Sequence, residues 1–124
     1  MSEPLRGVVV AHGAIADALV RSAESISGVT GVLRPISNSD CDRALLESRL
    51  AEAIGTGPAV IFVDLPSGSC LFAALHRFHG DPGVKVVTGV NLAMLVDFVF
   101  HRDLTPLAAA ERASQAGVRA IKVP

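Results

Sequence analysis

Tryptophan and tyrosine are missing from this chain of 124 residues, and phenylalanine is its sole aromatic type, at five positions. The core must therefore be built of Val, Leu, Ile and Ala, a composition that suits strands covered by helices. Nor is there an excess of basic charge: 11 Lys and Arg against 12 Asp and Glu give a formal net charge of −1, which excludes the electrostatic footprint of a nucleic-acid binder. The mean hydropathy is +0.47, yet polar residues interrupt every apolar run well short of the roughly 18 residues that span a bilayer. Residues 1–4 lack the charged and apolar regions of a signal peptide, so a cytoplasmic protein is expected. The two cysteines, Cys41 and Cys70, have no metal-binding spacing and are expected as reduced thiols rather than a disulfide.

What the chain does have is length enough for one domain over residues 1–124, able to bury about two-thirds of its unfolded surface. Its first stretch, Leu5-Arg6-Gly7-Val8-Val9-Val10-Ala11-His12-Gly13, reads as a buried strand ending in a histidine at a strand-to-helix turn. A helix follows, with Ile15, Ala18, Leu19, Ser22, Ala23 and Ile26 at helical spacing and Gly28 as its stop. Val32–Ile36 is a short strand that Pro35 assigns to a sheet edge. Ser39 and Asp42 resemble a capping box before a helix carrying Leu46, Leu50, Ala53 and Ile54 on one face.

Ala59–Val63 is a continuous apolar run of the kind found inside parallel sheets, with Asp64 directly after it. The loop Leu65-Pro66-Ser67-Gly68-Ser69 precedes a helix over about 70–79, and Val84–Thr88 forms a fourth strand. Asn91 is the expected N-cap of a helix over about 92–101. Thr105-Pro106 opens a last helix ending at Gly117, and the alternation in 118–123 predicts an exposed edge or interface strand. The whole predicts an α/β, doubly wound, mainly parallel sheet: four parallel strands plus a C-terminal edge or exchanged strand, with helices on both faces.

In such a sheet the carboxyl ends of the strands lie along one crevice, and three of them carry His12, Asp64 and Asn91. An imidazole is a good nucleophile when its other nitrogen keeps a proton and donates it to a fixed acceptor. Asp64 is the natural acceptor for His12. The Ser67-Gly68-Ser69 turn before a helix offers N–H groups, hydroxyls and a positive dipole end to an anion, so a phosphoryl group is the electrophile the surroundings suit. A Walker motif and a carboxylate cluster for magnesium are lacking, which disfavours direct use of ATP and predicts no cofactor and no metal. His76 and His79 make two ligands without a third and read as solvated; His101 reads as a helix C-terminus and Cys70 as a small buried residue.

Three stretches together resemble a known family: Val8–Gly13, Val63-Asp64-Leu65 with Gly68-Ser69, and Gly89-Val90-Asn91-Leu92 with Met94-Leu95. In order and spacing they are similar to the IIA component of the mannose-type sugar phosphotransferase system (PTS) over nearly the whole chain. That resemblance implies a phosphohistidine at Nε2 of His12, charged by the phosphocarrier HPr and discharged to a IIB component for sugar uptake. It also implies Asp64 as the partner of His12 and Ser69 beside the phosphate. A homodimer that exchanges its C-terminal strand is implied too, peripheral to a membrane sugar permease at most. The loop departs from the family's usual Asp-Leu-Phe-Gly-Gly-Ser-Pro-Phe-Asn at Pro66, Ser67, Cys70 and Phe72, and Ala93 replaces a proline. A regulatory phosphoprotein read by a protein partner, and a flavodoxin-like small-molecule binding domain, are the competing expectations.

Overall fold

The computed structural model describes residues 4–124. Strands β1 (Arg6–Ala11), β2 (Leu33–Ser37), β3 (Ala59–Val63) and β4 (Val84–Thr88) form one parallel sheet in the order β2-β1-β3-β4. Helices α1 (Ile15–Ser27), α2 (Arg43–Ile54), α3 (Ser69–Arg77), α4 (Leu92–Val99) and α5 (Pro106–Arg119) cover both faces. Alternate β1 residues divide between the two cores. Val9 and Ala11 join α1, α4 and α5 on one side, while Val8 and Val10 join α2 and α3 on the other. Burial on both faces is why β1 and β3 lack polar alternation. Pro35 lies on the β2 edge, as its missing N–H requires.

Close approach sets the packing of the first face. Phe62 and Phe98 meet edge to face at 5.2 Å, and a Cβ on Gly7 would come within 2.7 Å of the Phe98 ring. Asn91 and Thr105 cap α4 and α5 by accepting from the Met94 and Ala108 N–H groups, and Gly28 closes α1 in the left-handed region.

Four expectations are corrected. Helix α1 buries Ala16, Val20 and Ala23, whereas Ile15 and Ile26 are exposed, because small residues let the helix sit close to the sheet. Asp42 rather than Ser39 caps α2, its carboxylate accepting from Leu45 N–H at 2.8 Å. Gly117 does not end α5. It sits inside the helix against Met94, where a Cβ would come within 2.5 Å, so its lack of a side chain permits the α4–α5 contact. Consequently Val118 and Arg119 are helical, and residues 120–124 add no strand to this chain's sheet.

Candidate functional site

Strand register creates the site. Val10 pairs with Val63, so the residues that follow β1 and β3 emerge side by side at the carboxyl edge of the sheet. There the His12 ring Nδ1 lies 2.7 Å from Asp64 Oδ2. The same oxygen accepts the main-chain N–H of His12 at 3.0 Å, and Asp64 Oδ1 accepts Leu65 N–H at 3.0 Å.

Burial by itself would raise the Asp64 pKa. The His12 main-chain and ring hydrogen bonds, the charge of His12 and the Leu65 N–H outweigh it and hold the carboxyl below its ordinary 3.8. Asp64 is therefore a carboxylate acceptor, and Nδ1 must be the donor. The lone pair is left on Nε2, the outer nitrogen of a ring that is 42% exposed while Asp64 is only 11% exposed. This arrangement gives one nucleophilic nitrogen facing out and a half-buried negative charge behind it.

The loop after β3 passes over that outer nitrogen. A Cβ on Gly68 would lie 3.9 Å from His12 Cε1 and 4.0 Å from Nε2, and Gly68 takes a φ of +91° that favours glycine. Helix α3 begins at Ser69 with no side chain capping it, so its first N–H groups remain available to an anion. Ser67 on the loop and Ser69 at the start of α3 are both exposed. Asn91, the third strand-end residue, instead holds α4 and α5 together. It accepts from Met94 N–H and donates to the Gly117 carbonyl at 3.2 Å.

One neighbour escaped the sequence reading. Asn38, just past β2, reaches both the Gly13 N–H and the Ser69 hydroxyl at 3.4 Å. Its polar setting, Ser37-Asn38-Ser39-Asp40, reads as ordinary loop, and only the β2–β1 pairing brings it to the site.

Donor atoms of His12, Asp64 and Cys70 lie within 4.8 Å of one another. Their chemistry suits proton bookkeeping better than metal binding, since Nδ1 is engaged with Asp64. Burial, with the Asp64 charge as the next cause, pushes the Cys70 thiol up to about 11. Elsewhere, His76 pairs with Glu47 at 2.9 Å rather than with His79, and the His101 ring donates to the Asp97 carbonyl at 2.7 Å. Among the described residues no helix is long and apolar enough to cross a membrane.

Comparison with known proteins decides the lineage. The sequence profile of EIIA-man, the PTS system fructose IIA component, matches residues 7–115. The chain belongs to this family. No curated protein sequence matches the chain. Among solved structures, the mannose/sorbose-specific IIA subunit of the phosphotransferase system from Enterococcus faecalis aligns over 98% of this chain and 96% of its own, with TM-score 0.85 and 20% identity. The phosphotransferase component EIIA from Streptococcus agalactiae aligns over 96% of both chains, with TM-score 0.87 and 21% identity. A sigma-54 interaction domain protein from Enterococcus faecalis aligns over 96% of both, with TM-score 0.70 and 13% identity. At these identities the likeness is one of fold. Membership in the EIIA-man family carries with it a role in phosphotransfer in general.

Proposed function

We propose that this IIA-type chain is a phosphoryl carrier, in which His12 Nε2 takes a phosphoryl group from phospho-HPr and passes it to a IIB component for sugar uptake. The observation that carries the reading is the 2.7 Å contact between His12 Nδ1 and Asp64 Oδ2. With Nδ1–H donated to a carboxylate, the Nε2 lone pair attacks phosphorus. A new N–P bond forms as the donor's N–P bond breaks, and that electron pair returns to the donor's imidazole. Asp64 stabilises the cationic ring that results, while Ser67, Gly68 and Ser69 offer N–H and O–H groups to the phosphoryl oxygens. Discharge to the acceptor is the same displacement run onward, and no cofactor enters it.

The same reading includes a homodimer in which residues past α5 lie along the open edge of β4. A cleft of about 440 Å³ between that edge and α5 supports it, lined by Val86, Thr88, Leu107 and Ala110 among others.

A second reading is a regulatory phosphoprotein of an incomplete phosphotransferase chain. It is favoured by the departures at Pro66, Ser67, Cys70 and Phe72, in and just after the loop whose Gly68 approaches the His12 ring. The fold shared with a protein named for sigma-54 interaction leans the same way.

The test is phosphotransfer with phosphoenolpyruvate, enzyme I and HPr, followed by the mass of the intact chain. The expected result is one acid-labile phosphoryl group on the wild type and none on His12→Ala. Normal labelling of the variant, or no gain by the wild type from any HPr supplied, overturns the carrier reading. Adding a IIB protein then separates the two functions, because a regulatory module keeps its label.

A further inference from the structure

We propose that Asn38 is a positioning residue of the phosphoryl site, its amide tying the His12 turn to the Ser69 hydroxyl. This inference rests on the carrier reading and deepens it. The main chain of Asn38 is fixed first: its N–H donates to the Ala11 carbonyl at 3.2 Å, which anchors the end of β2 beside the residue that precedes His12. Its side chain then spans two segments that share no strand. The Gly13 N–H approaches one end of the amide at 3.4 Å, and Ser69 Oγ the other at 3.4 Å.

The chemistry of the partners fixes which end is which. A main-chain N–H can only donate, so the atom facing Gly13 is Oδ1, and the NH₂ group faces Ser69. Ser69 Oγ therefore accepts from Asn38, and its own hydrogen is turned away from Asn38 and left to donate elsewhere. Ser69 directly follows Gly68, the residue whose Cβ would lie 4.0 Å from His12 Nε2. A phosphoryl group on Nε2 is the acceptor within that setting. Among short side chains only asparagine offers one acceptor and one donor at this reach: aspartate lacks the donor, and alanine lacks both. What Asn38 contributes is orientation of a donor before the charge arrives, the condition under which such donors are worth most.

The test is the rate of phosphoryl uptake from phospho-HPr by the full chain, followed by intact mass, in wild type, Asn38→Ala, Ser69→Ala and the double variant. Asn38→Ala is expected to slow uptake about 10-fold, less than the roughly 100-fold cost of removing an oriented donor outright because the Ser69 hydroxyl remains, with its thermal midpoint close to wild type. In the Ser69→Ala background the same change is expected to alter the rate by less than about 2-fold, because the two residues act as a unit. Asn38→Asp keeps an acceptor for Gly13 but turns the Ser69 hydrogen inward and adds negative charge. It is expected to be slower than Asn38→Ala, and it carries the comparison should Asn38→Ala fail to fold. Labelled wild type with an unaffected Asn38→Ala overturns the assignment alone, as does an equal slowing in both Ser69 backgrounds. A wild type that takes up no phosphoryl group overturns the carrier reading beneath it.

Discussion

The centre of the sheet and its β4 edge are built from similar residues and end in opposite conditions. Strands β1 and β3 are paired on both sides, and every residue of β3 is buried. Strand β4 has one neighbour and leaves Lys85, Val86 and Thr88 half-buried, and past the middle of α5 the apolar Val118, Ile121 and Val123 are exposed. At the other edge Pro35 removes a donor and so discourages addition of a strand. The difference teaches where precision is kept. The two strands that carry His12 and Asp64 have a neighbour on each side, whereas β4, with one neighbour, is the edge that the proposed dimer would cover.

Phe62→Ala should break the centre most severely. Phe62 is fully buried and stacks edge-on against Phe98 at 5.2 Å, so urea denaturation should show a loss of about 3–5 kcal/mol. A loss below about 1 kcal/mol would mean the centre is no better packed than the edge.

At the end of the centre, Asp64→Asn should slow phosphoryl uptake about 100-fold, since an amide cannot stabilise a cationic ring as a carboxylate does. It should also change the acid limb of stability. The Asp64 pKa lies below its ordinary 3.8 in the folded chain. Its stabilisation is thus fully present above that value and lost as pH falls through the lower native one. Urea midpoints measured from pH 6 down to pH 2 should fall less steeply in Asp64→Asn than in wild type. Equal slopes would show that the His12–Asp64 pair contributes nothing to folding.

A smaller effect, about 1 kcal/mol, is expected for Asn91→Ala, which removes the α4 cap. Because Asn91 also donates to the Gly117 carbonyl, proteolysis near the α4–α5 contact should quicken; unchanged cleavage would separate the cap from that contact. Deleting residues 121–124, all exposed, should leave the unfolding free energy of the monomer, measured at a concentration where wild type is also monomeric, within about 0.5 kcal/mol. Sedimentation of the same variant sharpens the contrast. Under the proposed dimer the mass should halve, and a mass unchanged from wild type would remove these residues from the β4 edge.

Much of the centre could be read from sequence because burial on both faces leaves its mark in consecutive residues. Val8–Ala11 and Ala59–Val63 announce interior strands, and whatever follows them must share one edge, so the nearness of His12 and Asp64 is legible in the sequence. Caps at Asn91 and Thr105 were legible for a local reason, since the capping oxygen lies within three residues of the N–H it accepts from. Features set by distance between elements were not legible. Asn38 owes its role to strand pairing and to a serine 31 positions away. On α1, Ile15 and Ile26 have the look of core residues, while Ala16 and Val20, off the expected face, join Ala23 in the packing. Gly117 looked like a stop because its local preference is for turns, and Met94, far off in sequence, decides otherwise.

One carboxylate oxygen holds both the main chain and the ring of His12. That shared grip has a regiochemical consequence for any electrophile that reaches the site, whatever its source. To expose Nδ1, the imidazole would have to turn about its Cβ–Cγ bond and abandon a half-buried carboxylate, so the two ring nitrogens are not competing alternatives. Acylating and alkylating reagents should mark His12 as a single positional isomer, the τ-substituted one, with the π-isomer absent. The selectivity would belong to Asp64 rather than to the reagent, and the Asp64→Asn chain is where a mixture of isomers should first appear.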